Sequence, residues 1–355
     1  MGEVMTLAAI LRHLIFAVGI ALVSALLVRA MINVRVMDLP NQRSAHAVPT
    51  PRGGGVGIVV GFLLGIAVLY GFAAFARLAD PYFRAVILAS FAIAVVGFID
   101  DLRDWPPAVK LAAQVLAALA AVGSGLYVQV LHVPGLGAVD LGWPAGAALT
   151  VAWIVFATNA MNFIDGLDGL AGGTALVASG FLAVIAAAQG GAFVYFAALL
   201  LAAGIAGFLP FNFPRAQIFL GDVGSQFCGF VLAVLGVAAS RFETVPMSFL
   251  LVPMLLSGVL YDVAFTLLRR ALAGEQLTRA HRGHLYQVAQ RCGVDARAVA
   301  LTHWGFALLG GLACLGFIAA PLPLKPLLPA ALLVPQLAWT RFVVVRARRA
   351  GLGRW

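Results

Sequence analysis

The chain has 355 residues, of which 63% are hydrophobic and only 10% charged, and its mean hydropathy is +1.02. That composition excludes a soluble globular domain and a disordered chain, and points to a polytopic helical membrane protein. A net charge of +9 would suggest nucleic acid in a soluble protein; here the distribution of basic residues along the chain accounts for it, so no nucleic-acid partner is expected.

Apolar segments of about 17–25 residues, separated by short polar breaks, recur from end to end. Eleven spans are predicted, near residues 7–32, 54–75, 85–99, 108–129, 145–161, 171–189, 192–210, 224–240, 246–268, 298–319 and 326–345. The alternation of a β-barrel is absent, so the spans are read as helices of a single domain covering 1–355. With the N-terminus outside, the loops near 33–53, 100–110, 162–170, 211–223 and 269–297 and the basic tail 346–355 lie in the cytoplasm. These regions and the adjoining helix ends hold about 18 of the 23 Lys and Arg, as the positive-inside rule requires. The tail sequence Arg346-Ala347-Arg348-Arg349 suits anionic membrane lipid. Cys228, Cys292 and Cys314 have neither metal-site spacing nor a disulfide pattern.

Six aspartates interrupt this apolar chain in three runs, all expected on the cytoplasmic face. Charge at a bilayer boundary is costly without a compensating partner, so a functional centre is the default reading. Before the first run comes the loop Val36–Gly55, with prolines at 40, 49 and 51 that forbid a regular helix and glycines at 53–55 that permit close backbone approach. Its glycine-rich helix start is a ready anion site. Asp100, Asp101 and Asp104 then follow the third span, on nearby faces if the helix continues. In the run Asn159 to Gly173, spacings of three place Asn162, Asp165 and Asp168 on one helical stripe. Such amides and carboxylates can read a nucleobase or ribose, or hold a metal. Asp222 stands in Gly221-Asp222-Val223-Gly224-Ser225 at the mouth of the next span, where an N-cap is the plain alternative. Finally, His281-Arg282-Gly283-His284, with Arg269, Arg270 and Arg279 nearby, suits a polyanion. Zinc fits poorly there, because no thiolate or third histidine is near. The hard ion that suits carboxylates plus phosphate oxygens is Mg²⁺, with Mn²⁺ as a substitute.

Four of these motifs, Pro49-Thr50-Pro51-Arg52-Gly53-Gly54, Asp100-Asp101, Asn162 to Gly173, and Phe219-Leu220-Gly221-Asp222-Val223-Gly224-Ser225, occur in one order. In that order they resemble the polyprenyl-phosphate N-acetylhexosamine-1-phosphate transferases. This superfamily includes MraY and WecA, and the resemblance is nearest to the WbpL-like branch that initiates O-antigen. It covers about residues 35–290 and implies about 11 transmembrane helices around a cytoplasmic-face cleft in the bacterial inner membrane. The implied reaction is Mg²⁺-dependent transfer of an amino-sugar 1-phosphate from a UDP-sugar to undecaprenyl phosphate, starting a cell-surface polysaccharide. By the resemblance, Asp222 is a Mg²⁺ ligand, and Asp100 and Asp101 activate the lipid phosphate or assist the metal, which makes all three catalytic. Asn162, Asp165 and Asp168 hold the nucleotide side of the donor, and Arg52, His46, His281, Arg282 and His284 bind substrate. The triple histidine of MraY and its lysines before the Pro-Thr motif are missing, with Arg43 and His46 in the latter place, which favours a simpler UDP-amino sugar over a peptidoglycan precursor. A homodimer is compatible with the sequence.

Other readings stay open. Asp100-Asp101-Leu102-Arg103-Asp104 also looks like the Asp-rich motif of an intramembrane prenyltransferase, although a second such run is missing. An ion-coupled transporter expects acids near mid-membrane, and only Asp262 lies inside a predicted span.

Overall fold

The computed structural model describes residues 6–38, 49–72, 81–133, 137–241, 247–277 and 281–352. Among these, nine helices are long and apolar enough to cross a membrane. They are α1 (Leu7–Val34), α2 (Gly55–Phe72), α3 (Pro81–Arg103), α5 (Gly142–Ile164), α6 (Leu170–Gln189), α7 (Ala192–Asn212), α8 (Gly221–Ser240), α12 (Ala296–Ala319) and the stretch Leu322–Arg349. The chain is an all-α polytopic membrane protein. The two remaining predicted spans take other forms. One is the 17-residue α4 (Pro107–Gly123), which stops at Ser124 and Gly125, the latter with φ +96°. The other, read as continuous over 246–268, is divided at Leu256 into α9 (Leu251–Leu255) and α10 (Ser257–Leu272). Pro253 falls in the first turn of α9, where its missing N–H costs no intrahelical bond. Likewise the last stretch is divided at Leu332 into α13 (Leu327–Ala331) and α14 (Leu333–Arg349).

Helix α8 is the axis of the bundle, since every residue from Val223 to Ala239 is buried. It packs chiefly against α3 and α5, with α2 and α7 beside it. By contrast α1 and α14 leave most of their apolar side chains outside, as helices facing lipid should. Two short hairpins join the helices: β1 (Met37–Asp38) pairs antiparallel with β2 (Thr50–Pro51), and β3 (Val130–Val133) with β4 (Gly137–Asp140). The first hairpin agrees with the proline-rich reading of that loop. It leads into α2, whose start is tied to the start of α8: Gly54 and Gly55 N–H donate to the carbonyls of Phe219 and Leu220, both at 2.9 Å.

Candidate functional site

At the end of the bundle where α3 and α5 finish and α8 begins, the three acidic runs meet. Gly221, in the left-handed region with φ +76°, turns the chain into α8. A side chain there would meet Asp101, because a Cβ would lie 2.6 Å from its Oδ2. Asp101 is buried, and its two oxygens accept the N–H groups of Asp222 and Val223 at 3.0 and 3.1 Å. Those are free donors of the first turn of α8, so a carboxylate from α3 caps α8 against its positive end. Each oxygen of Asp101 thus takes one backbone N–H of α8 and keeps a second lone pair toward the node.

Asp222 lies one turn into the site and is half-buried. Its Oδ2 accepts Lys110 Nζ at 2.8 Å and Gln226 Nε2 at 3.0 Å, and its Oδ1 accepts Asn162 Nδ2 at 3.0 Å. Lys110, on α4, also donates to Asp100 Oδ2 at 2.9 Å, while Asp100 Oδ1 accepts Trp105 N–H at 2.7 Å. One ammonium therefore bridges two carboxylates from different helices. Behind Asp222 a chain of amides runs inward: Asn159 donates to Gln114, Gln114 to Gln226 at 2.9 Å, and Gln226 to the acid. Asn162 donates further to Ser225 Oγ at 3.0 Å. Amides this deep in a membrane protein persist because each finds a partner.

The expected stripe of Asn162, Asp165 and Asp168 does not form. Helix α5 ends at Ile164, and residues 165–169 are turns. The two Asp-Gly pairs stop the helix, since glycine weakens it and aspartate prefers turns. The turn is then stitched to its surroundings. Tyr286 Oη donates to Phe163 O at 2.9 Å, Gly169 N–H to Asn212 Oδ1 at 2.8 Å, and Ala216 N–H to Asp168 Oδ2 at 2.9 Å. Gly166 is required by closeness, as a Cβ would lie 2.2 Å from Tyr286 Oη. Asp165 accepts no hydrogen bond among the described residues. Its carboxyl is raised well above the usual range, first by burial and then by the charges of Asp222, Asp101 and Asp168.

The remaining expected residues fall around this node. Arg52 pairs at 3.2 Å with Asp104, whose side chain is 83% exposed; Asp104 thus sits apart from the buried acids. His46 lies outside the described residues. His281 is half-buried and pushed down to about 4, by burial first and then by His284 and Arg270 beside it. Its Nδ1 accepts Gly283 N–H at 3.1 Å, so in the neutral ring Nε2 keeps the proton. Arg282 is half-buried, and its carbonyl accepts Arg291 at 3.1 Å. His284 is buried, with Nδ1 3.3 Å from Asp262 Oδ1 and its ring 5.9 Å from that of Phe163.

Lys110 and the Asn159–Gln114–Gln226 chain escaped sequence reading. One signal was present: Lys110 is one of two lysines in a chain that otherwise uses arginine, and it sits in an apolar stretch ten residues after Asp100.

Among the described residues no three Asp, Glu, His or Cys side chains are spaced to hold a metal unaided. Mg²⁺ seldom needs such a cage, because one or two carboxylates and the substrate phosphates complete its shell. Asp222, Asp100 and the unpartnered Asp165 supply hard oxygen donors in excess over the one ammonium at the node, which fits that ion.

The chain is similar to known proteins over most of its length. A family profile described as glycosyl transferase family 4 matches residues 83–240, the segment carrying both Asp100 and Asp222. A probable undecaprenyl-phosphate N-acetylglucosaminyl 1-phosphate transferase of Bacillus subtilis is 30% identical over 290 residues, covering 81% of this chain and 79% of that protein. The decaprenyl-phosphate N-acetylglucosaminephosphotransferase of Mycobacterium tuberculosis is 33% identical over 289 residues, 74% of this chain and 70% of its own length. An undecaprenyl-phosphate alpha-N-acetylglucosaminyl 1-phosphate transferase of Yersinia pestis is 25% identical over 295 residues, with coverage of 81% and 79%.

Proposed function

This chain belongs to the polyprenyl-phosphate N-acetylhexosamine-1-phosphate transferase superfamily, and from that premise we propose that it transfers N-acetylhexosamine 1-phosphate from a UDP-sugar to undecaprenyl phosphate. An oxygen of the lipid phosphate attacks the β-phosphorus of the UDP-sugar. The bond to the bridging oxygen breaks, UMP leaves, and undecaprenyl-diphosphate-sugar remains. The product starts a cell-surface polysaccharide of the O-antigen type. The whole chain acts as one domain in the bacterial inner membrane, its site facing the cytoplasm, a side supported by the basic loops around it.

The observation that carries the reading is the convergence on Asp222 of side chains from α3, α4, α5 and α8 through Lys110, Asn162 and Gln226. Two anions must meet for the reaction to occur, so the site has to supply mobile positive charge. Lys110 donates to both carboxylates and stands ready to donate to phosphate oxygens instead. Mg²⁺, when bound, would be held by Asp222 with Asp100 or Asp165 and would neutralise charge developing on the diphosphate. Asp100, hydrogen-bonded by Lys110 and Trp105, orients the attacking phosphate or takes its remaining proton. Asn162 and the 165–168 turn hold the nucleotide side, and His281 Nε2–H and Arg282 contact the donor phosphates or sugar. Direct displacement is favoured over an aspartyl-phosphate, because an ionised phosphate needs little activation.

The test incubates purified protein with undecaprenyl phosphate, Mg²⁺ and a panel of UDP-sugars, following UMP with EDTA as control. UMP release dependent on both substrates and lost with EDTA is expected. Release of inorganic diphosphate from a prenyl diphosphate instead would assign the site to prenyl transfer.

A further inference from the structure

Asp262 is a carboxylate that the chemistry above does not use. It lies within α10 and is 1% exposed, among Thr266, His284 and His303, which are also buried. An isolated buried charge is too costly to persist, so its partners show what it is for. Oδ1 accepts Leu285 N–H at 2.9 Å, the Thr266 hydroxyl at 3.3 Å and His284 Nδ1 at 3.3 Å. Oδ2 accepts Tyr286 N–H at 3.0 Å. His303, from α12, gives its Nδ1 proton to Val299 O at 2.9 Å and leaves Nε2 at 3.8 Å from Oδ2 without a hydrogen bond.

Two of those donors are the first N–H groups of α11 (Leu285–Arg291), the short helix that follows His281-Arg282-Gly283-His284. A buried acid of α10 therefore caps α11 and grips the ring just before it. That helix touches the node directly, since Tyr286 Oη donates to Phe163 O, between Asn162 and Asp165. Gly166 leaves room for this approach.

Resting on the transferase reading, we infer that Asp262 is a positioning residue for the sugar-nucleotide donor. It clamps the His281–Tyr286 segment against the Asn162–Asp168 turn, and so sets where His281 and Arg282 stand over the donor. It has no part in the lipid phosphate's approach, which the Asp100–Lys110 side of the node governs.

The experiment measures UMP release by wild type and Asp262→Asn, varying UDP-GlcNAc and undecaprenyl phosphate separately. The amide keeps one acceptor but turns an NH₂ toward a backbone N–H, so part of the clamp opens. A rise of about tenfold in donor KM is expected, the size of one charge-assisted hydrogen bond. Acceptor KM stays within about twofold and kcat falls less than donor KM rises. Should Asp262→Asn fail to accumulate in the membrane, Tyr286→Phe decides, because it removes only the link to Phe163 O; a rise of about threefold in donor KM alone is expected. Unchanged kinetics, a loss confined to kcat, or equal effects on both substrates in the variant tested would overturn the inference. Wild type that releases no UMP from any donor would instead overturn the transferase reading on which it rests.

Discussion

Two aspartates of this protein, the half-buried Asp222 and the buried Asp262, behave differently. Asp222 receives its hydrogen bonds from side chains, namely Lys110, Asn162 and Gln226, all of which can turn to another acceptor. Asp262 receives two of its bonds from the backbone of Leu285 and Tyr286, donors that cannot move without unwinding α11. Asp101 belongs with Asp262, since both its oxygens take backbone N–H groups of α8. Between Asp222 and Asp262, the identity of the donors thus separates an acid free for chemistry from one that holds structure.

The largest expected effect is at Asp222. Asp222→Ala removes the common acceptor of three helices' side chains, and UMP release should fall by at least about 10³-fold, the scale of losing a principal electrostatic contact. Membrane insertion should persist. Wild-type turnover in this variant would remove Asp222 from the chemistry. Next comes Lys110→Met, which leaves Asp100 and Asp222 facing each other with no shared cation. Turnover should drop about 10²-fold, and Lys110→Arg should recover little of it, because a planar fork does not replace a point charge between two acids.

A smaller effect concerns stability at Asp165, whose carboxyl is raised well above the usual range by burial and neighbouring acids. The folded protein binds this proton more tightly than the unfolded chain does. Stability is therefore lost as pH rises from the usual carboxylate range through the raised value. Asp165→Asn should be more heat-stable than wild type at pH 8, and the advantage should vanish below the usual carboxylate range. An advantage independent of pH would contradict the electrostatic origin. Smallest of all is Asp104→Asn, which breaks only an exposed pair with Arg52. It should change turnover by less than about threefold, since such pairs contribute about 0–1 kcal/mol.

Much of this was legible in the sequence, for a physical reason. In a chain that is 63% hydrophobic, acids cannot be placed idly, so Asp100, Asp101, Asp165 and Asp222 announced a shared centre without any fold in hand. What misled was periodicity. Spacings of three suggested a helical stripe through Asn162, Asp165 and Asp168, whereas the Asp-Gly pairs at 165–166 and 168–169 are turn chemistry and end α5 at Ile164. The amides Asn159, Gln114 and Gln226 carried no such mark. Each lies in a mostly apolar helix, and only packing three helices together reveals that they point at one another.

The most direct measurement sets the two acids side by side. Asp222→Asn and Asp262→Asn, purified in the same detergent, are assayed for kcat and for thermal unfolding. The account predicts opposite outcomes: Asp222→Asn loses nearly all turnover and unfolds at the wild-type temperature, while Asp262→Asn keeps most of its kcat and unfolds earlier. Loss of turnover and of stability in equal measure at both positions would contradict the division between reactive and structural carboxylates.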